Sequence, residues 1–244
     1  MPFRYALSAL LLPVVLVCQC FGQSDTRVLN RILMGYTEAY GGNLEARSIE
    51  SVQAEGVQIQ GEQTQSIIVH KKRPSSIRYQ LRSGDDLMTA GYNGVSGWLR
   101  IATGDTVEVK DLSPEQTRRL KDEATFDSPL FNFLDKPEYT VSLEGTERVG
   151  EKLCYVIRVV QEQAPDMLFY LDDTQFYLQK KAILYKDGTS TMETYYRDYR
   201  LVDGYPFAFE IENRMGGETV CLIRLEQVEV NVGLLSFFFE KPRG

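Results

Sequence analysis

A mainly β protein with a few helices (α+β), built on one strongly curved antiparallel sheet, is the fold class the sequence predicts. Three observations predict it. From about Glu50 to Val232, segment after segment alternates apolar and polar residues with a period of two. Gly, Pro, Asn-Gly and Asp-Gly break these segments at hairpin spacing. Helical periodicity is confined to the stretch before Gly41 and to an insertion after Leu112.

Ser24-Asp25 supplies a helix start, and Val28, Ile32, Leu33, Tyr36, Ala39 and Tyr40 recur at three- and four-residue spacing. Gly41-Gly42 ends the run, so one amphipathic helix is predicted over roughly 24–40. Strands are predicted at 50–60, 64–73, 75–82, 86–92, 95–103 and 105–110. Asn93-Gly94 is the strongest turn between them, expected as a tight hairpin whose two central residues both take positive φ. Ile77, Tyr79 and Leu81 share one face while Arg78, Gln80 and Arg82 take the other.

The alternation stops at Leu112. Ser113 as N-cap, Pro114 at N1 and Glu115 in the first turn predict a helix to about Glu123. Ser128-Pro129 ahead of Leu130, Phe131, Phe133 and Leu134 predicts a second short helix over 128–134. Strands resume at 138–147, 152–161, 166–172, 175–186, 189–200, 205–214 and 218–231. Between Leu225 and Val228 the apolar phase slips by one residue, which predicts a bulge near Gln227. Roughly a dozen hairpin-connected strands make a barrel, a half-barrel or a sandwich. No repeat or linker interrupts residues 23–244, so a single domain is expected. The inserted helices must bury Leu120, Phe126, Leu130, Phe131, Phe133 and Leu134 somewhere, and the mouth of a curved sheet suits a lid.

Residues 1–22 read as a bacterial signal peptide: a positive start at Arg4, an apolar run from Ala6 to Cys18, then Cys20-Phe21-Gly22 before Gln23. That run is too short for a stable helix across a ~30 Å hydrocarbon core. Lipidation at Cys18 or Cys20 is the alternative, although Val17 and Gln19 stand where that processing prefers a small residue. A periplasmic location is therefore expected. Removing the leader takes away Arg4 and moves the formal net charge from −7 to −8. Such an acidic balance argues against nucleic acid as a partner and against permanent residence on anionic lipid. Cys154 and Cys221 can pair in an oxidising compartment or simply serve as small apolar strand residues.

The residues of familiar active sites are missing. The chain has one histidine, His70, and no phosphate-cradling loop. One His makes neither a metal set nor a triad, so no metal and no cofactor is expected. Asp172-Asp173, and Glu193 with Asp198, are formal candidates for paired hydrolytic carboxylates, but turn chemistry explains them more simply. Ser128 reads as a cap. A binding role rather than catalysis follows. The candidate lining of a container is Ile77, Tyr79, Leu81, Leu87, Trp98, Tyr139, Val141, Leu143, Phe207 and Phe209, with a filled core as the competing interpretation. Sheltering hydrocarbon needs such a lining: at about 0.8 kcal/mol per methylene, a sixteen-carbon chain costs on the order of 12 kcal/mol if left in water.

Several motifs, in order, carry a resemblance. Lys72-Arg73-Pro74 precedes the strand Ile77–Arg82; Tyr92-Asn93-Gly94 and Gly97-Trp98 follow. Then come Leu112-Ser113-Pro114, Ser128-Pro129-Leu130, Tyr170-Leu171-Asp172, Asp198-Tyr199-Arg200 and Phe237-Phe238-Phe239 before Pro242. Together they resemble periplasmic lipoprotein carriers of the LolA/LolB type. The resemblance implies an unclosed half-barrel of about 11 strands with an N-terminal helix and an inserted helical lid over an apolar cavity. It implies lipoprotein acyl chains, or a related lipid, as cargo and no reaction. Its implied partners are an inner-membrane ATP-driven lipoprotein extractor and an outer-membrane acceptor, with the carrier itself a monomer. By position, Arg73 matches the family's arginine that bonds the lid helices and holds them shut. An envelope sensor on the same fold, binding lipoprotein or misfolded envelope protein, is the alternative, and a hydrolase the third reading.

Overall fold

The structure, a computed structural model, describes residues 21–42, 49–126, 128–131, 139–162, 164–185 and 191–243, with side chains from Thr26 onward. The predicted leader lies almost wholly outside the described residues, as do Phe133, Leu134 and most of the predicted second lid helix. Helix α1 spans Phe21–Ala39. It is followed by β1 (Ser51–Gln60), β2 (Gln63–Lys72), β3 (Ser76–Ser83), β4 (Asp86–Tyr92), β5 (Gly97–Thr103) and β6 (Thr106–Asp111). Helix α2 (Pro114–Ala124) interrupts the strands. The second run is β7 (Tyr139–Val149), β8 (Lys152–Gln161), β9 (Asp166–Asp172), β10 (Leu178–Leu184), β11 (Thr191–Val202), β12 (Tyr205–Met215) and β13 (Glu218–Val230). A 3-10 turn at Ser236–Phe239 closes the described chain.

All thirteen strands join one antiparallel sheet in the order β6-β5-β4-β3-β2-β1-β13-β12-β11-β10-β9-β8-β7, two strands more than the expected count of about eleven. Two meanders, β1–β6 and β7–β13, meet through the single pair β1–β13. Strands β6 and β7 are free edges, so the sheet is unclosed, and α2 belongs to the connection that runs from one edge to the other.

Local chemistry explains the joints. Ser113 accepts the Gln116 amide through its side chain while the Gln116 side chain accepts the Ser113 amide, a reciprocal cap ahead of Pro114. The bulge falls at Glu226: Glu55 faces Gln227, and Gly56 faces Leu225. A Cβ at Gly56 would stand 2.1 Å from the Arg224 carbonyl oxygen, so only glycine fits opposite the bulge. The Asn93-Gly94 turn differs from the expected two-residue type. Tyr92 pairs with Gly97 across a four-residue loop, and only Gly94 has positive φ, at 99°. Asn93 acts through its side chain instead, its Oδ1 accepting the Val95 and Ser96 amides at 3.0 and 2.9 Å. Strand β10 starts later than predicted, because Asp172 gathers the preceding loop into a turn. The Asp172 carboxylate accepts the Thr174, Gln175 and Tyr177 amides and the Gln179 side chain.

Following the pairing across the sheet separates two faces. On the inner face lie Ile77 and Tyr79, then Val69, Ala54, Val228, Ile211, Tyr196, Lys181, Phe169, Ile157 and Leu143. Both helices cover this face. Leu29, Ile32, Leu33 and Tyr36 of α1 pack on Ile157, Val159, Phe169 and Leu171, and Leu130 completes the cluster. The outer face of β2–β5 is covered by the chain end. Trp98 is only 1% exposed there and donates its indole N–H to the Phe239 carbonyl at 2.8 Å. No helix among the described residues is long and apolar enough to cross a membrane.

Candidate functional site: the inner face and its lid

Helices α1 and α2 hold the inner face very differently. Helix α1 buries four large side chains, each worth about 1.5–3 kcal/mol. Helix α2 presents a narrow stripe: Thr117 and Leu120 are half-buried and Ala124 is buried, while its other residues are largely exposed. Leu120 and Ala124 meet Ile77, Tyr92, Val69 and Tyr79. Close approach of α2 to the wall depends on Gly97, where a Cβ would stand 2.8 Å from the Thr117 hydroxyl.

Polar contacts supply what the thin apolar stripe of α2 lacks. The Tyr79 hydroxyl bonds the Glu123 carboxylate. Lys71 donates to the Thr125 carbonyl at 3.2 Å and lies 5.0 Å from the centre of the Phe126 ring. Arg73 stacks its guanidinium over the same ring at 4.9 Å, and its Nε donates to the Ile49 carbonyl at 2.8 Å. Arg73 thus lies over Phe126, two residues beyond α2, through an aromatic face, while its Nε bonds the segment leading into β1. Lys71 shares the same end and was not foreseen. Its signal was available in the phase of β2, since Ile67, Val69 and Lys71 alternate together on the apolar side.

Of the ten predicted lining residues, eight lie on the inner face. Ile77 is fully buried under α2, with Tyr79 and Leu81 half-buried beside it. Tyr139, Val141 and Leu143 pack against the α1 cluster, and Phe207 and Phe209 lie mid-sheet with Ala54 and Val228. Leu87 and Trp98 are corrected: both occupy the outer face, because Leu81 pairs with Met88 and Tyr92 pairs with Gly97. Among the predicted lid residues, Leu120 and Phe126 sit over β2–β4. Leu130 and Phe131 join the α1 cluster, Phe131 stacking on Tyr36 at 5.0 Å. Under 128–131, part of the 113–134 insertion expected to roof an apolar cavity, the space is therefore filled. Two open surface depressions of about 420 and 300 Å³ lie elsewhere, over the solvent side of α1 and on the outer face of β7–β9.

Between the two helix-covered ends the inner face carries the buried cluster of Ala54, Phe209 and Val228, with half-buried polar residues around it. Lys71, Tyr79, Lys181 and Tyr196 each retain accessible surface. Burial nevertheless pushes the Lys71 ammonium down to about 8, lowers Lys181, and raises the phenols of Tyr79 and Tyr196. Glu123 of α2 acts electrostatically on all four.

The other sequence candidates have structural places. Asp172 serves its turn, Asp198 pairs with Arg200 at 2.6 Å, and Glu193 pairs with Lys180 at 3.0 Å. Ser128 caps the Leu130 amide at 3.2 Å. Cys154 and Cys221 are both free thiols, on β8 and β13. Among the described residues no three His, Cys, Asp or Glu side chains are grouped to hold a metal ion.

No family model and no curated protein matches the sequence. Solved structures do. A DUF1329 family protein from Desulfovibrio piger superposes with a TM-score of 0.60 at 14% identity, covering 87% of this chain and 97% of its own. A domain named for outer membrane lipoprotein sorting, from Vibrio parahaemolyticus, gives 0.59 at 11% identity over 89% and 97%. A LolA superfamily protein from Nitrosomonas europaea gives 0.56 at 10% identity over 86% and 97%. The chain has the LolA-like curved-sheet fold.

Proposed function

We propose that the protein is a periplasmic carrier that shelters acyl chains of lipoproteins, or of a related lipid, against the inner face of the sheet between α1 and α2. The observation that supports this reading is the unclosed curved sheet whose mid-sheet inner face gathers Ala54, Phe207, Phe209 and Val228 beside a helix held by a thin apolar stripe. Hydrocarbon lying against that face meets Phe207, Phe209, Val69 and Val228. Entry requires α2 to move, and α2 is the element that a thin apolar stripe and a few polar contacts hold down. Helix α1 stays, as part of the wall. The lipoprotein-sorting name of the Vibrio parahaemolyticus relative supports the same cargo class. On this reading the chain enters the periplasm behind a signal peptide at 1–22, works as a monomer without cofactor, and binds rather than catalyses. It collects cargo from an inner-membrane ATP-driven extractor and yields it to an outer-membrane acceptor.

Native mass spectrometry of the full chain purified from its own envelope tests the reading. Bound species carrying acyl chains are expected, and they should dissociate when lipid is extracted. Protein that arrives empty and takes up no acyl-chain probe afterwards overturns it.

A further inference from the structure

His70, the single histidine of the chain, lies on the outer face of β2 and is 8% exposed. The chain end covers it. The Phe238 ring meets the imidazole edge to face at 4.8 Å between centroids, and the same ring carries the Arg78 guanidinium at 4.3 Å. Arg78 also donates to the Phe238 carbonyl at 3.0 Å, so one residue of the chain end is held by both side chains. Hydrogen bonding fixes the tautomer of His70. The Gln53 amide nitrogen donates to Glu55 at 2.7 Å, which leaves the Gln53 side-chain carbonyl to accept from His70 Nε2 at 3.1 Å. The proton therefore sits on Nε2. Nδ1 is buried and has no partner among the described residues, and Arg78 Nε on the paired strand is likewise unpartnered. A second proton has to go on Nδ1, where it creates a buried N–H without an acceptor and a second cation at the Phe238 ring.

The surrounding charges do not offset this. Burial first, then Arg78 of β3, holds the imidazole below its ordinary 6.5, and Glu55 of β1 acts the other way through Gln53. Lys72 of β2 and Arg100 of β5 add positive charge to this face, Arg100 acting on Arg78. Glu229 of β13 lies one strand beyond Gln53 and is bonded by Gln227. From the chain end come Glu240 and Lys241, which are tied to Asn93 and Asp111.

We propose that His70 is a proton-operated catch: neutral, it seats Phe238 and keeps the chain end on the outer face; protonated, it loosens that end and bares Trp98. The inference goes beyond the carrier reading and does not depend on it. The imidazole is held down while the chain end is closed and returns to its ordinary value when that end lifts. Closure is therefore fully favoured above pH 6.5 and weakens as the pH falls from 6.5 through the lowered value. Within that window each pH unit raises the ratio of open to closed chain ends by up to about tenfold. Trp98 reports the opening, because its indole N–H is bonded to the carbonyl of Phe239, next to Phe238.

The test is hydrogen exchange of the Trp98 indole N–H in the full chain, followed by NMR from about pH 7.5 to about pH 5 and corrected for intrinsic exchange. In the parent its protection factor should fall with acid, by up to about tenfold per pH unit, while the amides of β8–β9 keep theirs. A flat profile overturns the catch and needs no variant to fold; a fall shared by β8–β9 overturns it too, because the whole fold is then responding. In His70→Gln, whose amide can still bond Gln53 but takes up no proton, protection should stay constant across the range. A parent-like fall in that folded variant refutes the assignment. Phe238→Ala gives the reciprocal measurement: with the covering ring gone, the His70 ring protons should titrate closer to the ordinary 6.5 than in the parent. Identical titration in parent and Phe238→Ala shows that His70 and the chain end are uncoupled.

Discussion

Lys71, Lys72 and Arg73 are three consecutive cations with three different tasks. Strand alternation sends Lys71 to the inner face and the end of α2, while Lys72 on the outer face donates to the Leu234 carbonyl at 2.7 Å. Arg73 leaves the strand and lies over Phe126. The outer face has its own charge centre at Glu212, which is 6% exposed. Hydrogen bonds from Arg214, then from Thr219 and Arg197, hold its carboxyl at about 2, against an ordinary 4.5, despite burial. A carboxylate lowered in this way stabilises the fold fully above pH 4.5, and the contribution disappears as pH falls from 4.5 toward 2. Glu212→Gln should therefore lower stability at pH 7 by roughly 2–3 kcal/mol. Denaturant midpoints of parent and variant should converge as the pH is lowered through that window; a constant gap refutes the linkage. At this scale the phase of β4 and β5 was readable and the cover was not. Alternation puts Leu87 with Thr89 and Gly91, and Trp98 with Arg100 and Ala102, opposite Met88, Ala90, Leu99 and Ile101. It did not show that Trp98 is buried on the outer face, because its cover comes from Phe239, far along the chain.

Among the elements, α1 and α2 differ already in sequence: α1 aligns Val28, Leu29, Ile32, Leu33 and Tyr36, whereas α2 offers little beyond Leu120 and Ala124. The N-cap, the proline at N1 and the length of α2 were legible because helix ends are local chemistry. The inserted helix was expected as the lid; the strands each helix packs on were not legible, because they depend on pairings distant in the chain. Gly97 tests the distinction. Gly97→Val places new methyl groups against Thr117, where even a Cβ comes within 2.8 Å, and must push α2 off the sheet. Amide hydrogen exchange should rise across 114–124 while α1 and β8–β9 stay protected. Uniform loss of protection would mean that α2 belongs to the global fold and is no lid.

For the whole molecule, the chain end behaves as a strap across the outer face of the first meander. It is fastened by Lys72 to the Leu234 carbonyl, Arg78 to the Phe238 carbonyl, Asn93 to Glu240 and Lys241 to Asp111. Deleting residues 234–244 should uncover Trp98, the single tryptophan of the chain. Its emission should move to longer wavelength and the melting temperature should fall. Unchanged emission would show that the indole is protected by the sheet alone.

The seam between the two meanders has a consequence for how the chain is made. Val52 finds its partner Val230 only after nearly the entire polypeptide has been synthesised, and pairings this distant form slowly. Until then β1 is a naked border exposing unsatisfied amides to any passing strand. A chain cut short before β13 would thus keep that border bare, a permanent invitation to association with other strands.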